Sequence, residues 1–427
     1  MKQRIWLTML GIIILALYSS WGRPLWLDEY LHFAFGGFAT PSEAWAAVRS
    51  STVGINHGQT GFYIMIDYFT LKALGANLFA MRLPSVLSGA LLLYSTAAFL
   101  RTKRIGAIGI AGAFLLLAAQ PNLMYYVGEA RPYMPLAASS MGALAYYSMT
   151  TNERRRTSAR FLAWGSVIWG SLMMPYFLLY LPALIITAYA IDCIVGKHRP
   201  QLRAFVSFLN LPLVITGFVL GLSISAMTWL RGSPKFDRDP WLYVRLLFDE
   251  HNTWVFAAII VGILLALLTV GLGLAQGVEN TRRAVLGAVI LILVVGALAV
   301  LLAFASYRQN YWILPRQFVA SQAIFDAALI WLLAVSLSVI KRPAQTILTA
   351  VLFLSVCLVA ARAAISQVRQ LVDWTATGIP GSDAKPGTGN AFAEVAPANQ
   401  NVLEGGPIWP ELASIYDESR ILPNEIP

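Results

Sequence analysis

Two adjacent carboxylates, Asp28 and Glu29, stand a few residues beyond the first long apolar run of the chain. One interpretation is chemical: Asp28 acts as a general base, and Glu29 orients it or binds a metal. The other interpretation is structural, with Asp28 as the N-cap of a helix at the membrane interface and Glu29 favoured by the helix dipole. Position in the chain leaves both interpretations open.

A second group of reactive side chains, Glu129, Arg131 and Tyr133, lies in the tyrosine-rich segment 125–133. The guanidinium of Arg131 has the planar geometry that suits a phosphate. Glu129 and Arg131 could equally form an ordinary ion pair at an interface. We therefore treat all three residues as candidates for substrate binding.

Three further residues are candidates with an open alternative. Arg308 and Arg316 border an apolar run, and Arg316 would enter it, where a charge needs a partner or an anionic ligand. Both could instead extend to the membrane surface. His57 is a candidate metal or substrate ligand, although no Cys/His spacing supports a closed metal site. A divalent cation is possible and not required. The charged loop 231–252 is either a lid or a solvated connection.

The elements that must position these residues are membrane-spanning helices. The chain has 427 residues, of which 58% are apolar and only 12% are charged, about half the charged fraction of a soluble protein. Apolar runs of roughly 20 residues, enough to cross a bilayer, recur along it. The sequence therefore predicts an all-α polytopic membrane protein and excludes a soluble enzyme.

We predict about eleven transmembrane helices. The first apolar run, 5–20, is either the first span or a cleavable signal peptide. The predicted later spans are 78–100, 105–122, 133–150, 161–175, 176–195, 204–222, 253–275, 284–305, 317–340 and 344–362. Cys193 and Cys357 both fall inside spans, so no disulfide framework is expected.

The distribution of charge predicts the orientation. With the N-terminus in the cytoplasm, the short breaks rich in Lys and Arg all lie on the cytoplasmic side, as the positive-inside rule requires. The formal charge of +10 is then a topology signal, and we expect no nucleic-acid partner. Most acidic residues fall on the opposite side, which also holds the tail 363–427. We predict a multi-pass protein of the cell (inner) membrane with an extracytoplasmic, periplasmic site.

The first outer segment, 21–77, is too long for a simple connection. Its amphipathic and aromatic stretches at 28–38, 42–50 and 60–74 predict helices in the membrane interface, although Asp67 could instead sit within a span and face the interior of the bundle. We therefore divide the chain into a transmembrane domain, 1–362, and a tail, 363–427, whose Gly and Pro content predicts partial disorder.

These motifs, in this order, resemble the GT-C superfamily of glycosyltransferases, in the branch of the protein O-mannosyltransferases and the lipid A aminoarabinose transferases. Asp28-Glu29 is similar to the acidic pair in the family's first outer loop. The segment 79–85, Phe-Ala-Met-Arg-Leu-Pro-Ser, resembles the start of its second span, and Gln120-Pro121 with 125–133 resembles the segment before its fourth. Many relatives have His-Pro-Pro where this chain has His57-Gly58-Gln59.

The resemblance implies transfer of a sugar, with inversion, from a polyprenyl-phosphate carrier to a hydroxyl of an envelope glycan, lipid or protein. It implies Asp28 as the base, with Glu29 beside it. Arg131 and Arg316, with Arg308 in reserve, would stabilise the leaving phosphate, and Glu129 the positive charge on the sugar. The other partners are membrane lipids.

Other function classes fit the same composition. A transporter or flippase for lipid-linked saccharides should have polar residues deep in several spans, whereas Asp326 is the main example here. An oligosaccharide polymerase or ligase would share substrates and topology. A scaffold protein would not need so long and patterned a first loop.

Overall fold

The computed structural model describes residues 6–14, 29, 32, 36–50, 60–75, 77–120, 123, 126–196, 199–228, 279–308, 318–338 and separate positions between 345 and 365. All regular structure in these residues is helical, which confirms the predicted fold class. The helices are α1 (6–14), α2 (Pro41–Ser50), α3 (Phe62–Leu74), α4 (Leu78–Thr102), α5 (Ala107–Ala119), α6 (Tyr133–Tyr147), α7 (Thr151–Arg154), α8 (Thr157–Met173), α9 (Phe177–Gly196), α10 (Leu202–Leu209), α11 (Leu211–Thr228), α12 (Glu279–Arg308) and α13 (Val319–Leu337).

Helix α6 is the centre of the bundle, because each of its side chains is buried. It packs against α4, α8, α9 and α13. Ser139 and Gly142 on α6 let α8 approach closely: Ser139 faces Gly170 of α8, and Gly142 faces Ser166. Small residues at helix contacts are typical of membrane bundles, where close packing replaces the hydrophobic effect as the force between helices.

Four helices in the described part of the chain are long and apolar enough to cross a membrane, or five if one bent pair counts as a span. The single spans are Phe79–Thr102, Phe177–Gly196, Glu279–Phe304 and Val319–Leu337. The predicted span 253–275 lies outside the described residues. The number of eleven therefore stays a prediction, and so does the domain division.

The predicted span 204–222 differs in the structure. It consists of α10 and α11, which meet at an angle of 60°. Asn210 between them has a φ of +49°, a left-handed conformation that Asn adopts more readily than most residues. The bend is held by Arg154, whose guanidinium donates hydrogen bonds to the carbonyls of Phe208, Tyr147 and Met149 and lies 4.0 Å from the Phe208 ring centroid.

Helices α4 and α6 begin at the same end of the bundle. The Ser85 hydroxyl, near the start of α4, donates to the carbonyl of Arg131, just before α6, at 3.1 Å. Arg101, Lys103 and Arg154 lie at or beyond the C-terminal ends of the same two helices. These three basic residues and the predicted site residues 129–133 thus lie at opposite ends of the two helices, as the charge pattern predicts. Which end faces the cytoplasm remains a prediction.

The first loop contributes α2 and α3, which pack together through Ala44, Val48, Ile64, Met65 and Tyr68. Helix α2 was predicted from an amphipathic pattern, and α3 from an aromatic and apolar stretch. Asp67 is fully buried on the inner face of α3. It faces the interior of the bundle, as the second interpretation has it, but it lies on a helix of 13 residues that is not one of the candidate spans. Thr60, just before α3, donates to carbonyls at the end of α8, so this loop is fixed to the bundle.

Candidate functional site

Glu29 is fully buried and joins three parts of the chain. Its carboxylate accepts two hydrogen bonds from the Arg82 guanidinium, at 3.0 Å from Nε and 2.7 Å from Nη2. The same carboxylate accepts the backbone N–H of Ala130 at 2.9 Å. A charged residue of the first loop is therefore fixed both to α4 and to the segment that carries Glu129 and Arg131.

Arg82 reaches this position because of how α4 begins. Asn77 caps the helix by accepting the N–H of Ala80, so Arg82 lies in the second turn. One turn later, the Ser85 hydroxyl contacts the Tyr63 hydroxyl at 2.7 Å and connects α4 to α3. Sequence reasoning included Arg82 in the motif 79–85 but gave it no role. The sequence feature that could have indicated a role for Arg82 is its charge inside an otherwise apolar run.

A second buried set consists of Asp67, His32 and Arg131. Nδ1 of His32 lies 2.6 Å from Oδ2 of Asp67, and Nε2 of His32 lies 3.3 Å from Nη1 of Arg131. Guanidinium nitrogens can only donate hydrogen bonds. Nε2 must therefore accept, which makes the imidazole neutral with its proton on Nδ1, donated to Asp67. His32 is a residue that sequence reasoning missed. The available signal was its spacing of three residues from Glu29, which places both on one helix face.

The Arg131 side chain also contacts the start of α6. Its Nη2 donates to the Tyr133 hydroxyl at 3.4 Å, and its guanidinium carbon lies 5.7 Å from the centroid of the Tyr133 ring. The Arg131 backbone N–H donates to the Glu129 carbonyl at 2.8 Å, which forms a tight turn. Glu129 is itself fully buried. The turn therefore carries a buried carboxyl side chain and a buried guanidinium two residues apart in the sequence.

Burial dominates the electrostatics of the site. It raises the pKa of Asp67 well above the ordinary value, and the negative charge of Glu29 raises it further, while Arg131 lowers it. The pKa of Tyr63 is also raised, first by burial and then by Asp67. With little water to screen them, charges here interact more strongly than on a surface. The site can therefore hold an anion or move a proton.

The structure brings together four of the residues predicted from sequence: Glu29, Glu129, Arg131 and Tyr133. Asp28, His57 and Arg316 lie outside the described residues, and for Arg308 only the backbone, at the end of α12, is described. No group of three or more acidic, His or Cys side chains in the described part of the chain could hold a metal ion.

Asp326 belongs to a separate buried polar cluster between α5 and α13. The Gln120 amide donates to both oxygens of the Asp326 carboxyl, at 3.4 and 3.3 Å, and its own carbonyl accepts from Gln322 at 2.9 Å. The cluster satisfies these polar groups within the bundle. Because the glutamine side chains supply its hydrogen bonds, a structural role is enough to explain the buried Asp326 carboxyl.

Neither a family model nor a curated protein sequence matches the chain. Solved structures do. ArnT from Cupriavidus metallidurans in the apo state superimposes with a TM-score of 0.54 and 15% identity, over 97% of this chain and 74% of ArnT. The same protein bound to undecaprenyl phosphate gives 0.49 and 17%, over the same shares.

The archaeal oligosaccharyltransferase AglB from Archaeoglobus fulgidus, solved with an inhibitory peptide and a dolichol-phosphate, gives a TM-score of 0.48 and 12% identity. The match covers 98% of this chain and 60% of AglB. The similarity to apo ArnT extends over nearly all of this chain and agrees with the helices long enough to cross a membrane. The chain is therefore a multi-pass membrane protein that shares its fold with ArnT.

Proposed function

We propose that the chain is a membrane glycosyltransferase. It moves a sugar from a polyprenyl-phosphate carrier to a hydroxyl of an envelope glycan, lipid or protein, at the extracytoplasmic end of the bundle. The resemblance of the motifs at 28–29, 79–85 and 125–133 supports this proposal, and so does a fold shared with ArnT.

One observation carries the proposal: the hydrogen bond from the Ala130 N–H to the Glu29 carboxylate at 2.9 Å. Glu29 follows Asp28 directly, and Ala130 lies between Glu129 and Arg131. This contact joins the Glu29 side chain to the segment that carries the proposed phosphate ligand, and the proposed base directly precedes Glu29 in the sequence. The reaction needs these groups within reach of one substrate.

In the proposed reaction, Asp28 removes the proton of the acceptor hydroxyl. The hydroxyl oxygen bonds to the anomeric carbon, and the bond from that carbon to the phosphate oxygen breaks on the opposite face, which inverts the configuration. Arg131 stabilises the negative charge on the leaving phosphate, assisted by Arg316. Glu129 supplies negative charge near the cationic sugar of the transition state.

The position of the site at the end of the helices suits such a carrier. The polyprenyl chain can stay in the hydrocarbon region while its phosphate reaches Arg131. Charged headgroups cannot enter the hydrocarbon at low cost, so a site for them must lie near a membrane surface. The buried charged residues of the described bundle are consistent with this, because all except Asp326 belong to the cluster around Glu29 and Arg131.

The test is transfer activity of the purified full-length chain with a panel of polyprenyl-phosphate sugars and envelope acceptors. Asp28→Asn should lower turnover by about 100-fold or more, the usual contribution of a general base. Arg131→Gln should weaken use of the donor. The matched control is Glu43→Gln, which removes an exposed carboxylate from α2 of the same loop.

Full activity of the Asp28→Asn variant would remove Asp28 from the reaction. Absence of transfer with every donor, together with translocation of a lipid-linked saccharide across vesicles, would favour the transporter instead. Donor kinetics that are identical for wild type and Arg131→Gln would exclude Arg131 from the phosphate site.

A further inference from the structure

The neutral state of His32 depends on Arg131. The guanidinium donates to Nε2 at 3.3 Å, and while it does so this nitrogen cannot accept a proton. Nδ1 meanwhile donates to Asp67 at 2.6 Å. His32 therefore lies between the Asp67 carboxylate, which would stabilise an imidazolium, and the Arg131 guanidinium, which prevents one from forming.

Titratable and charged groups near His32 come from α3, from α4, from the turn before α6 and from the segment of His32 itself. Helix α3 contributes Asp67 and Tyr63, whose ring centroid lies 5.7 Å from that of His32. Arg131 comes from the turn before α6, and Tyr133 stands beside it. The neighbouring charges are Glu29, Arg82 and Glu129, all fully buried. With the carboxylates ionised, three negative charges face two guanidinium groups, so another anion needs compensation.

We propose that His32 and Asp67 form a proton-accepting pair that takes up a proton when the phosphate of a lipid-linked donor occupies Arg131. The inference rests on the proposed function and adds to it a second acid-base group. It predicts that donor binding is coupled to protonation of the protein.

Phosphate oxygens accept the N–H groups of Arg131, which then no longer occupies Nε2 of His32. Nε2 binds a proton from water, and the resulting imidazolium donates to Asp67 through Nδ1 and to the phosphate through Nε2. When the bond between the sugar and the phosphate oxygen breaks, the leaving phosphate takes this proton, and His32 becomes neutral again. The acceptor's own proton passes to Asp28 and then to water.

The electrostatics of Asp67 agree with this coupling. Arg131 lowers the pKa of Asp67, whereas burial and Glu29 raise it. A phosphate on Arg131 cancels the one lowering influence and adds negative charge. The proton affinity of the pair must then rise, because the positive charge of Arg131 favours the ionised carboxylate of Asp67 and disfavours the imidazolium of His32.

The experiment measures proton uptake on binding. The probe is hexadecyl methyl phosphate, a lipid phosphodiester whose single negative charge does not change between about pH 5 and pH 8. Calorimetric titration of the full-length chain in two buffers with different heats of protonation gives the number of protons taken up. We expect a maximum approaching about one proton per bound probe within this range, where histidine titrates.

The variant His32→Gln keeps an amide that can accept from Arg131 but cannot bind a proton, so it should bind the probe with uptake near zero. Arg131→Gln should weaken probe binding itself. Arg49→Gln, which removes an exposed arginine at the end of α2, is the matched control and should behave as the wild type. If His32→Gln does not fold, Asp67→Asn, which removes the carboxylate that stabilises the imidazolium, should bind the probe with lower proton uptake than the wild type.

Equal proton uptake by wild type and His32→Gln, or no uptake by a wild type that binds the probe, would overturn the inference. Transfer activity would survive that result, so the proposed function would stand. A wild type that neither binds the probe nor transfers sugar would instead overturn the proposed function, and the proton coupling with it.

Discussion

Arg82 and Glu29, 53 residues apart in the sequence, form a two-point ion pair in which neither side chain is exposed. The pair links the first loop to α4, and Glu29 extends it to Ala130. A guanidinium that donates two parallel hydrogen bonds fixes orientation as well as distance. Glu29 is therefore held in one position relative to α4 and to the segment that carries Ala130.

Breaking this pair should be costly. Arg82→Met leaves the Glu29 carboxylate buried without its partner, for which we expect a loss of about 3–5 kcal/mol in the free energy of unfolding. The measurement is denaturant unfolding in detergent. The control is Glu279→Gln, which removes the charge of the partly exposed pair between Arg283 and Glu279 at 2.7 Å and should cost about 0.5 kcal/mol or less. Similar losses for both variants would show that the Glu29 pair is not a major constraint.

The contact between α6 and α8 should depend on Gly170. A Cβ at this position would lie 2.7 Å from both the Phe177 ring and the Ser139 Cβ, so Gly170→Ala should destabilise the protein by about 1–3 kcal/mol. Gly165 lies on the same helix with nothing within 4 Å of an added Cβ. Gly165→Ala should therefore be neutral or stabilising by up to about 1 kcal/mol. Thermal unfolding that shifts equally in both variants would contradict this account of the packing.

The free energy of unfolding should rise with pH because the pKa of Lys103 is lower in the folded state than in the unfolded state. Its ammonium lies 4.7 Å from the Trp331 ring centroid and 5.4 Å from that of Phe99. Burial lowers the pKa of Lys103 from 10.5 to about 8, although Asp192 acts in the opposite direction.

The sign follows from proton linkage. Below about pH 8 both folded and unfolded states carry the charge, and the folded state bears the full cost of burying it. Between about pH 8 and pH 10.5 the folded state has lost the proton and the unfolded state has not, so stability increases. Unfolding of the wild type relative to Lys103→Met should show this rise. Lys103→Arg, which stays charged, should lack it, and a rise that persists in Lys103→Arg would argue against Lys103 as its source.

Asp326 should be dispensable for the transfer reaction. Asp326→Asn keeps a side chain of the same shape beside Gln120 and removes the titratable carboxyl. We expect transfer activity within about twofold of wild type, a change of ~0.4 kcal/mol in the barrier. The same proteoliposomes can be assayed for translocation of the lipid-linked saccharide. Translocation that depends on Asp326 would favour the transporter hypothesis.

The sequence by itself determined the fold class and most helix positions. Runs of apolar residues at 78–100, 133–150 and 176–195 each became a helix that begins at or within one residue of the predicted start. The physical reason is local: in lipid, a backbone must satisfy its own hydrogen bonds, and an apolar run of this length can do so only as a helix. The same reasoning failed at 204–222, where a left-handed Asn210 divides one run into two helices.

The composition of the site was decided by tertiary structure. Sequence motifs indicated Glu29, Glu129, Arg131 and Tyr133, but nothing local shows that Glu29 pairs with Arg82. His32 had no motif of its own, and its partner Asp67 is 35 residues away. Which charges share a buried space depends on how α3, α4 and the turn before α6 pack, because each carboxylate must find a partner once water is excluded.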